Sequence, residues 1–167
     1  MGERHASRRA RRAKEFEAFV AGAAGRLLHA ATLLTAEAPD DNPRARRLLA
    51  LALAHTYAGW DRLRGEDPYD RARQYLAARF AHGAWRPHGF GRSARRAPGA
   101  LAALGPQERL VLVLRLYEGV AEEQVAALLG LPTERVHTVC DRATATLLHP
   151  PRGPAPAPVR GAKAVAS

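Results

Sequence analysis

Seven histidines (positions 5, 29, 55, 82, 88, 137 and 149) and one cysteine, Cys140, are the side chains from which a metal site could be built. His137 and Cys140 lie three apart, one turn of a helix, and could share an ion. A stable transition-metal site takes three or four ligands, and no further histidine or cysteine lies near them in sequence. No His-Glu-x-x-His motif occurs. Gly89-Phe90-Gly91 lacks the preceding strand and the third glycine of a phosphate cradle. Asp40 and Asp41, beside Asn42, suit a turn and a helix cap better than paired catalytic carboxylates. Ser7, Ser93 and Ser167 all fall in segments predicted to be flexible, so no activated nucleophile emerges. The expectation is a protein that is not an enzyme, with no cofactor and no metal.

The elements that position these residues are predicted to be helices. Among 167 residues there is no Ile, aromatics reach only 6%, and β-branched residues are scarce, which argues against an all-β fold. Hydrophobic residues make up 47%, enough to build a core. Phe16, Phe19, Val20, Ala23, Leu27, Ala31 and Leu34 recur at threes and fours, predicting a first helix of about five turns. Pro43 suits the first turn of a second helix, whose stripe of Leu49, Leu53, Tyr57, Trp60 and Leu63 runs to about Arg64. Pro68 opens a third, with Ala72, Leu76 and Phe80 inward and Trp85 a candidate for the same face. Pro106 starts a fourth, carrying Leu110, Val113, Leu114 and Tyr117, and Gly119 stops it. A short helix over 122–129, Gly130, and a last helix over 133–148 follow, with Val136, Val139 or Cys140, Ala143 and Leu147 buried. Helix, glycine turn, amphipathic helix is the order of a helix-turn-helix.

Charge marks the boundaries. Of the formal +10, residues 1–14 hold +5, 15–85 are neutral, 86–100 hold +4, 101–149 hold −2 and 150–167 hold +3. The excess therefore lies outside the segments with apolar periodicity. Basic segments of this kind either serve a polyanion such as nucleic acid or are simply solvated. The expected organisation is a basic flexible arm (1–14), a three-helix domain (15–85), a Gly/Pro/Arg linker (86–100), a helix-turn-helix domain (101–149) and a disordered Pro/Ala tail (150–167). The lone cysteine rules out an internal disulfide framework and fits a reducing cytosol. No uninterrupted apolar run approaches a membrane span, and Lys14, Glu15 and Glu17 interrupt any signal-peptide core. A soluble, cytoplasmic protein with no membrane span is expected.

The order of helical domain, basic linker and helix-turn-helix resembles the two-domain extracytoplasmic-function sigma factors (group 4) of bacterial RNA polymerase. LAALGPQERLVLVLRLYEGVAEEQVAALLGLPTERVHTVCDRATATL, at 101–147, resembles sigma region 4, and FEAFVAGAAGRLLHAATLLT, at 16–35, resembles the opening of region 2. The stretch from Leu48 to Leu63, with Thr56-Tyr57 and Trp60-Asp61, resembles the helix that docks on the polymerase clamp. The resemblance implies an all-α protein of two small helical domains, region 2-like and region 4-like, joined by a basic linker. It implies core RNA polymerase and promoter DNA as partners, and an anti-sigma factor or another regulatory protein as a further one.

Carried over by position, the resemblance places Arg135, His137, Thr138 and Arg142 on the outward side of the recognition helix, towards the −35 element. Arg135 and Arg142 suit phosphate, and His137 and Thr138 suit bases or phosphate. Trp85 and Arg86 are candidates for the unpaired −10 strand, with Trp85 equally suited to capping the core of the third helix. The polymerase-docking positions are Arg46, Arg47, Leu48, Leu49 and Ala50. Family members usually carry acidic and Gln/Glu residues on that helix, whereas Arg46 and Arg47 are basic. Like charges across a docking surface cost affinity. Two readings follow: a divergent sigma factor, or a sigma-like regulator that no longer binds core polymerase and acts through DNA or a protein partner.

Overall fold

The computed structural model describes residues 2–84 and 100–149, with side chains described from 5 to 83 and from 101 to 149. Trp85, Arg86, nearly all of the expected linker and the Pro/Ala tail lie outside the described residues. The described residues form helices and turns, with one isolated bridge between Ala38 and Asp41 and no strand.

Helix α1 runs from Gly2 to Thr35, 34 residues without a proline. Its start differs from expectation: the basic segment from Gly2 to Lys14 is helical and continuous with the apolar stripe. Ala and Arg are strong helix formers, and Arg12 fixes the segment to a neighbouring element. The Arg12 guanidinium bonds Asp61 at 2.9 Å and the Tyr57 carbonyl, and lies 4.3 Å from the centre of the Tyr57 ring. By length and hydropathy, His5–Thr35 could cross a membrane. Its apolar residues Ala23, Leu27, Ala30, Ala31 and Leu34 are instead spent on the protein core.

Ala36, at φ 52°, turns the chain out of α1. Helix α2, Pro43–Ala58, starts at Asn42, whose side chain makes no cap bond. Capping falls to Glu37 rather than to Asp40 or Asp41. The Glu37 carboxylate accepts the Arg44 and Ala45 amides at 3.2 and 2.9 Å and the Thr35 hydroxyl at 3.0 Å. A carboxylate there satisfies orphan amides and complements the helix dipole. Asn42 bonds Thr32 at 3.0 Å and so ties α2 to α1.

Helix α2 stops at Gly59, short of Arg64, and a 3-10 turn over Trp60–Arg62 follows. Helix α3 is Pro68–Ala84 and α4 is Pro106–Leu112, after a 3-10 turn over Ala100–Ala103. A π-type turn over Val113–Tyr117 extends α4, with the Glu118 amide bonded to the Val113 carbonyl at 2.9 Å. Helices α5, Glu122–Leu129, and α6, Thr133–Leu148, complete the chain's described part.

The largest apolar cluster joins helices from both sides of residues 85–99. Ala31 and Leu34 of α1, Leu48 of α2 and Phe80 of α3 share it with Leu110, Leu114, Val125 and Val136. Burying each such Leu, Val or Phe contributes about 1.5–3 kcal/mol. Polar links reinforce this contact. Arg109 of α4 donates to the Leu34 carbonyl at the C-terminal end of α1, at 2.9 Å, and to Leu104 at 2.7 Å. Glu118, with a side chain 1% exposed, accepts the Tyr69 hydroxyl at 2.9 Å and faces Arg26 at 3.4 Å and Arg73 at 3.7 Å.

Candidate nucleic-acid interface

Helix α5 begins with Glu122 and Glu123, acids suited to the positive end of a helix dipole. Gly130 ends it in the left-handed region at φ 64°, and the Leu131 amide reaches back to the Ala126 carbonyl at 3.0 Å. That backward bond needs a residue that adopts positive φ without strain, which is glycine's role at a helix end. Pro132 then opens α6, its carbonyl accepting the Arg135 and Val136 amides at 3.0 and 3.2 Å.

Helix α6 buries Val136, Val139 and Ala143, while Cys140 and Leu147 are half-buried. Burial pushes the Cys140 thiol up from its ordinary value, which disfavours the reactive thiolate. The opposite face carries Glu134, Arg135, His137, Thr138, Asp141 and Arg142, all exposed. The four positions expected to meet DNA thus share one solvent-facing surface of α6.

Their partners are acidic. His137 Nδ1 lies 3.1 Å from Glu122 and Nε2 lies 3.2 Å from Asp141. The hydrogen bond to Glu122, then the charges of Asp141 and Glu122, raise the imidazole pKa above its ordinary value and favour the imidazolium. Arg142 Nε bonds Glu108 Oε1 at 2.9 Å, and Glu108 Oε2 accepts the Gly105 amide at 2.7 Å, so one carboxylate both caps α4 and holds α6. The Thr138 hydroxyl donates to the Glu134 carbonyl at 2.8 Å. Arg135 makes no ion pair within 4 Å among the described residues. Exposed ion pairs are worth about 0–1 kcal/mol, so a phosphate can take the place of these carboxylates at little cost.

Arg115, not singled out from sequence, organises the turn before α5. It donates to the Val120 carbonyl at 2.5 Å and lies 3.7 Å from Glu122. Glu108 and Glu122 were likewise not anticipated. They lie 34 and 15 residues from the α6 groups they pair with, and no local pattern signals such contacts.

Residues 100–147 match the family model for sigma-70, region 4. The segment is therefore a region 4 helix-turn-helix, with α6 the helix that follows the turn. Such a domain carries a DNA-binding role connected with transcription, and the match assigns that role to residues 100–147 of the 167. No curated protein and no solved structure matches the chain.

Outside the region 4 domain, the positions on α2 expected to dock polymerase divide. Arg46, Arg47 and Ala50 are exposed, Leu49 is half-buried, and Leu48 is 6% exposed inside the main core. Leu48 therefore belongs mainly to the core. Arg46 Nε is bonded to Asn42 at 2.9 Å. Between α2 and α3 lies a groove of about 410 Å³ lined by Arg44, Arg47, Leu48, Leu51, Arg79, His82 and Gly83. Among the described residues that line it, none is acidic.

Proposed function

We propose that this chain is a divergent sigma factor of the extracytoplasmic-function type, acting in the cytoplasm to bring core RNA polymerase to a small set of promoters. The observation that carries the reading is the exposed face of α6, with Arg135, His137, Thr138 and Arg142 together in a region 4 helix-turn-helix. In this role α6 enters the major groove at the −35 element. Arg135 and Arg142 take phosphate, while His137 and Thr138 reach bases or phosphate. Residues 15–85 act as a region 2-like unit, with Arg46, Arg47, Leu49 and Ala50 at the polymerase contact and Leu48 behind them. Trp85 and Arg86 serve the −10 strand. An anti-sigma factor or another regulatory protein would be the natural antagonist of such a protein.

The test is titration of the labelled full chain with purified core RNA polymerase at physiological salt. Saturable binding, competed by an established sigma factor, is the expected result. A folded sample that does not bind overturns the sigma assignment.

One observation favours a second reading, a sigma-like regulator that does not engage core polymerase. The α2 surface is basic at Arg46 and Arg47 and continues into a groove with Arg44, Arg79 and His82. Charge decides which partners such a face accepts. If α2 is the docking element, replacing Arg46 and Arg47 by Asp and Glu should tighten binding to core polymerase. Unchanged affinity in that variant would favour the regulator.

A further inference from the structure

Helix α1 carries a second concentration of positive charge, remote in sequence from α6. Arg8 and Arg9 each stand three or four residues from both His5 and Arg12, so the four lie along one side of the helix. With Tyr57 and Asp61 they line a recess of about 240 Å³. Arg12 is consumed in holding α1 to the end of α2, through Asp61, the Tyr57 carbonyl and the Tyr57 ring. Arg8 and Arg9 form no ion pair within 4 Å among the described residues, and both are exposed. We propose that this face of α1, with its recess, is a separate binding site for the phosphodiester backbone of nucleic acid.

Three observations support the assignment. Arg8 and Arg9 each stand one helical turn from Arg12, and Arg8 also from Arg11, so like charges repel along the helix at a cost of about 0.2–0.5 kcal/mol per pair. Two nearby acids among the described residues are already engaged, Asp61 with Arg12 and Glu15 with Arg11 at 3.7 Å. A bound polyanion relieves that repulsion. The side chains are also carried on a clamped helix, so binding need not order a free arm.

The composition of this segment selects nucleic acid over an anionic membrane. Residues 5–15 hold no apolar side chain larger than Ala. The next ones, Phe16 and Phe19, pack against Trp60 at 5.2 and 5.5 Å between ring centres. Among the described residues this segment therefore offers no bulky apolar side chain of its own to insert among acyl chains, and membrane-surface helices need such an apolar face.

The site goes beyond the α6 contact and does not depend on it. The experiment measures fluorescence anisotropy of the full chain with a 20-base-pair duplex of arbitrary sequence, at salt from about 50 to 200 mM. Arg8→Ala/Arg9→Ala should lower the slope of log affinity against log salt by about 0.9 for each arginine that meets a phosphate. Arg8→Lys/Arg9→Lys should keep it, with circular dichroism checking that both variants fold. The same loss should appear in an Arg135→Ala/Arg142→Ala background, where the α6 contribution is removed. An unchanged slope in Arg8→Ala/Arg9→Ala overturns the site. So does a loss confined to the chain with α6 intact, which would make α1 an accessory of the helix-turn-helix. Arginine-dependent binding to phosphatidylserine vesicles with an unchanged DNA slope overturns it in favour of a membrane surface.

Discussion

His137 is held between Glu122 and Asp141, and both contacts favour its charged form. A histidine whose folded pKa is raised adds stability that is complete below its unfolded value, near about 6.5, and is lost as pH rises through the folded value. The imidazole ring protons, followed by NMR, should therefore titrate above the ordinary histidine value. Glu122→Gln should move that midpoint down, and an unmoved midpoint would place the cause elsewhere. Arg142 permits a separate test. Its pair with Glu108 is 57% exposed on the arginine side, so Arg142→Ala should change stability by less than about 1 kcal/mol. If Arg142 takes phosphate, DNA affinity falls by a similar factor on every sequence and the salt slope drops by about 0.9. An unchanged slope would leave Arg142 only its bond to Glu108. The outward direction of both side chains was legible through the resemblance to a recognition helix, and the 3.6-residue period keeps them off the line of Val136, Ala143 and Leu147. Their acidic partners were not, since Glu108 and Glu122 reach α6 from other helices.

At the level of elements, the turn between α5 and α6 rests on Gly130. A Cβ at Gly130 meets nothing within 4 Å, so Gly130→Ala tests backbone conformation without a steric clash. The left-handed conformation at φ 64° should cost about 1–2 kcal/mol for Ala, partly offset by the stiffer unfolded chain, for a net loss near 1 kcal/mol. Urea unfolding measures it, and an unchanged midpoint would show that the turn tolerates a side chain. Gly130 and Pro132 also made the limits of α5 and α6 readable, because breakers and apolar spacing agree there. The π-type turn was not readable: it shifts the hydrogen-bond register after Val113 without a compositional sign. Nor was the start of α1 at Gly2. Residues 2–14 carry no apolar stripe, and what holds them is Arg12 on Asp61, 49 residues away in sequence. The cap on α2 was misplaced for a related reason. Glu37 reaches its amides across a turn that brings it back over the helix start.

Across the whole molecule, the basic segment 86–100 suggested two helical units, and periodicity could mark apolar faces without saying what covers them. Leu34 and Phe80 lie in one cluster with Leu110 and Val125, so unfolding either half exposes part of the other. Leu110→Ala should therefore destabilise both halves together, by about 2–5 kcal/mol. Hydrogen exchange in rising urea should show α2 and α5 losing protection together in each chain, at a lower concentration in the variant than in the parent. Earlier loss in α5 alone would mean that the shared cluster contributes little. The buried carboxylate offers an independent probe of the same junction. Burial first, and the Glu118 hydrogen bond second, push the Tyr69 hydroxyl well above its ordinary value of 10.0. A tyrosine raised in this way adds stability that is complete below about pH 10 and declines above it, because the unfolded chain releases its proton first. Midpoints of unfolding should fall as pH climbs from about 9 to 11, and Tyr69→Phe should make that fall shallower. A Tyr69→Phe chain with the parent's alkaline profile would show that the link from α3 to Glu118 does not hold the two groups of helices together.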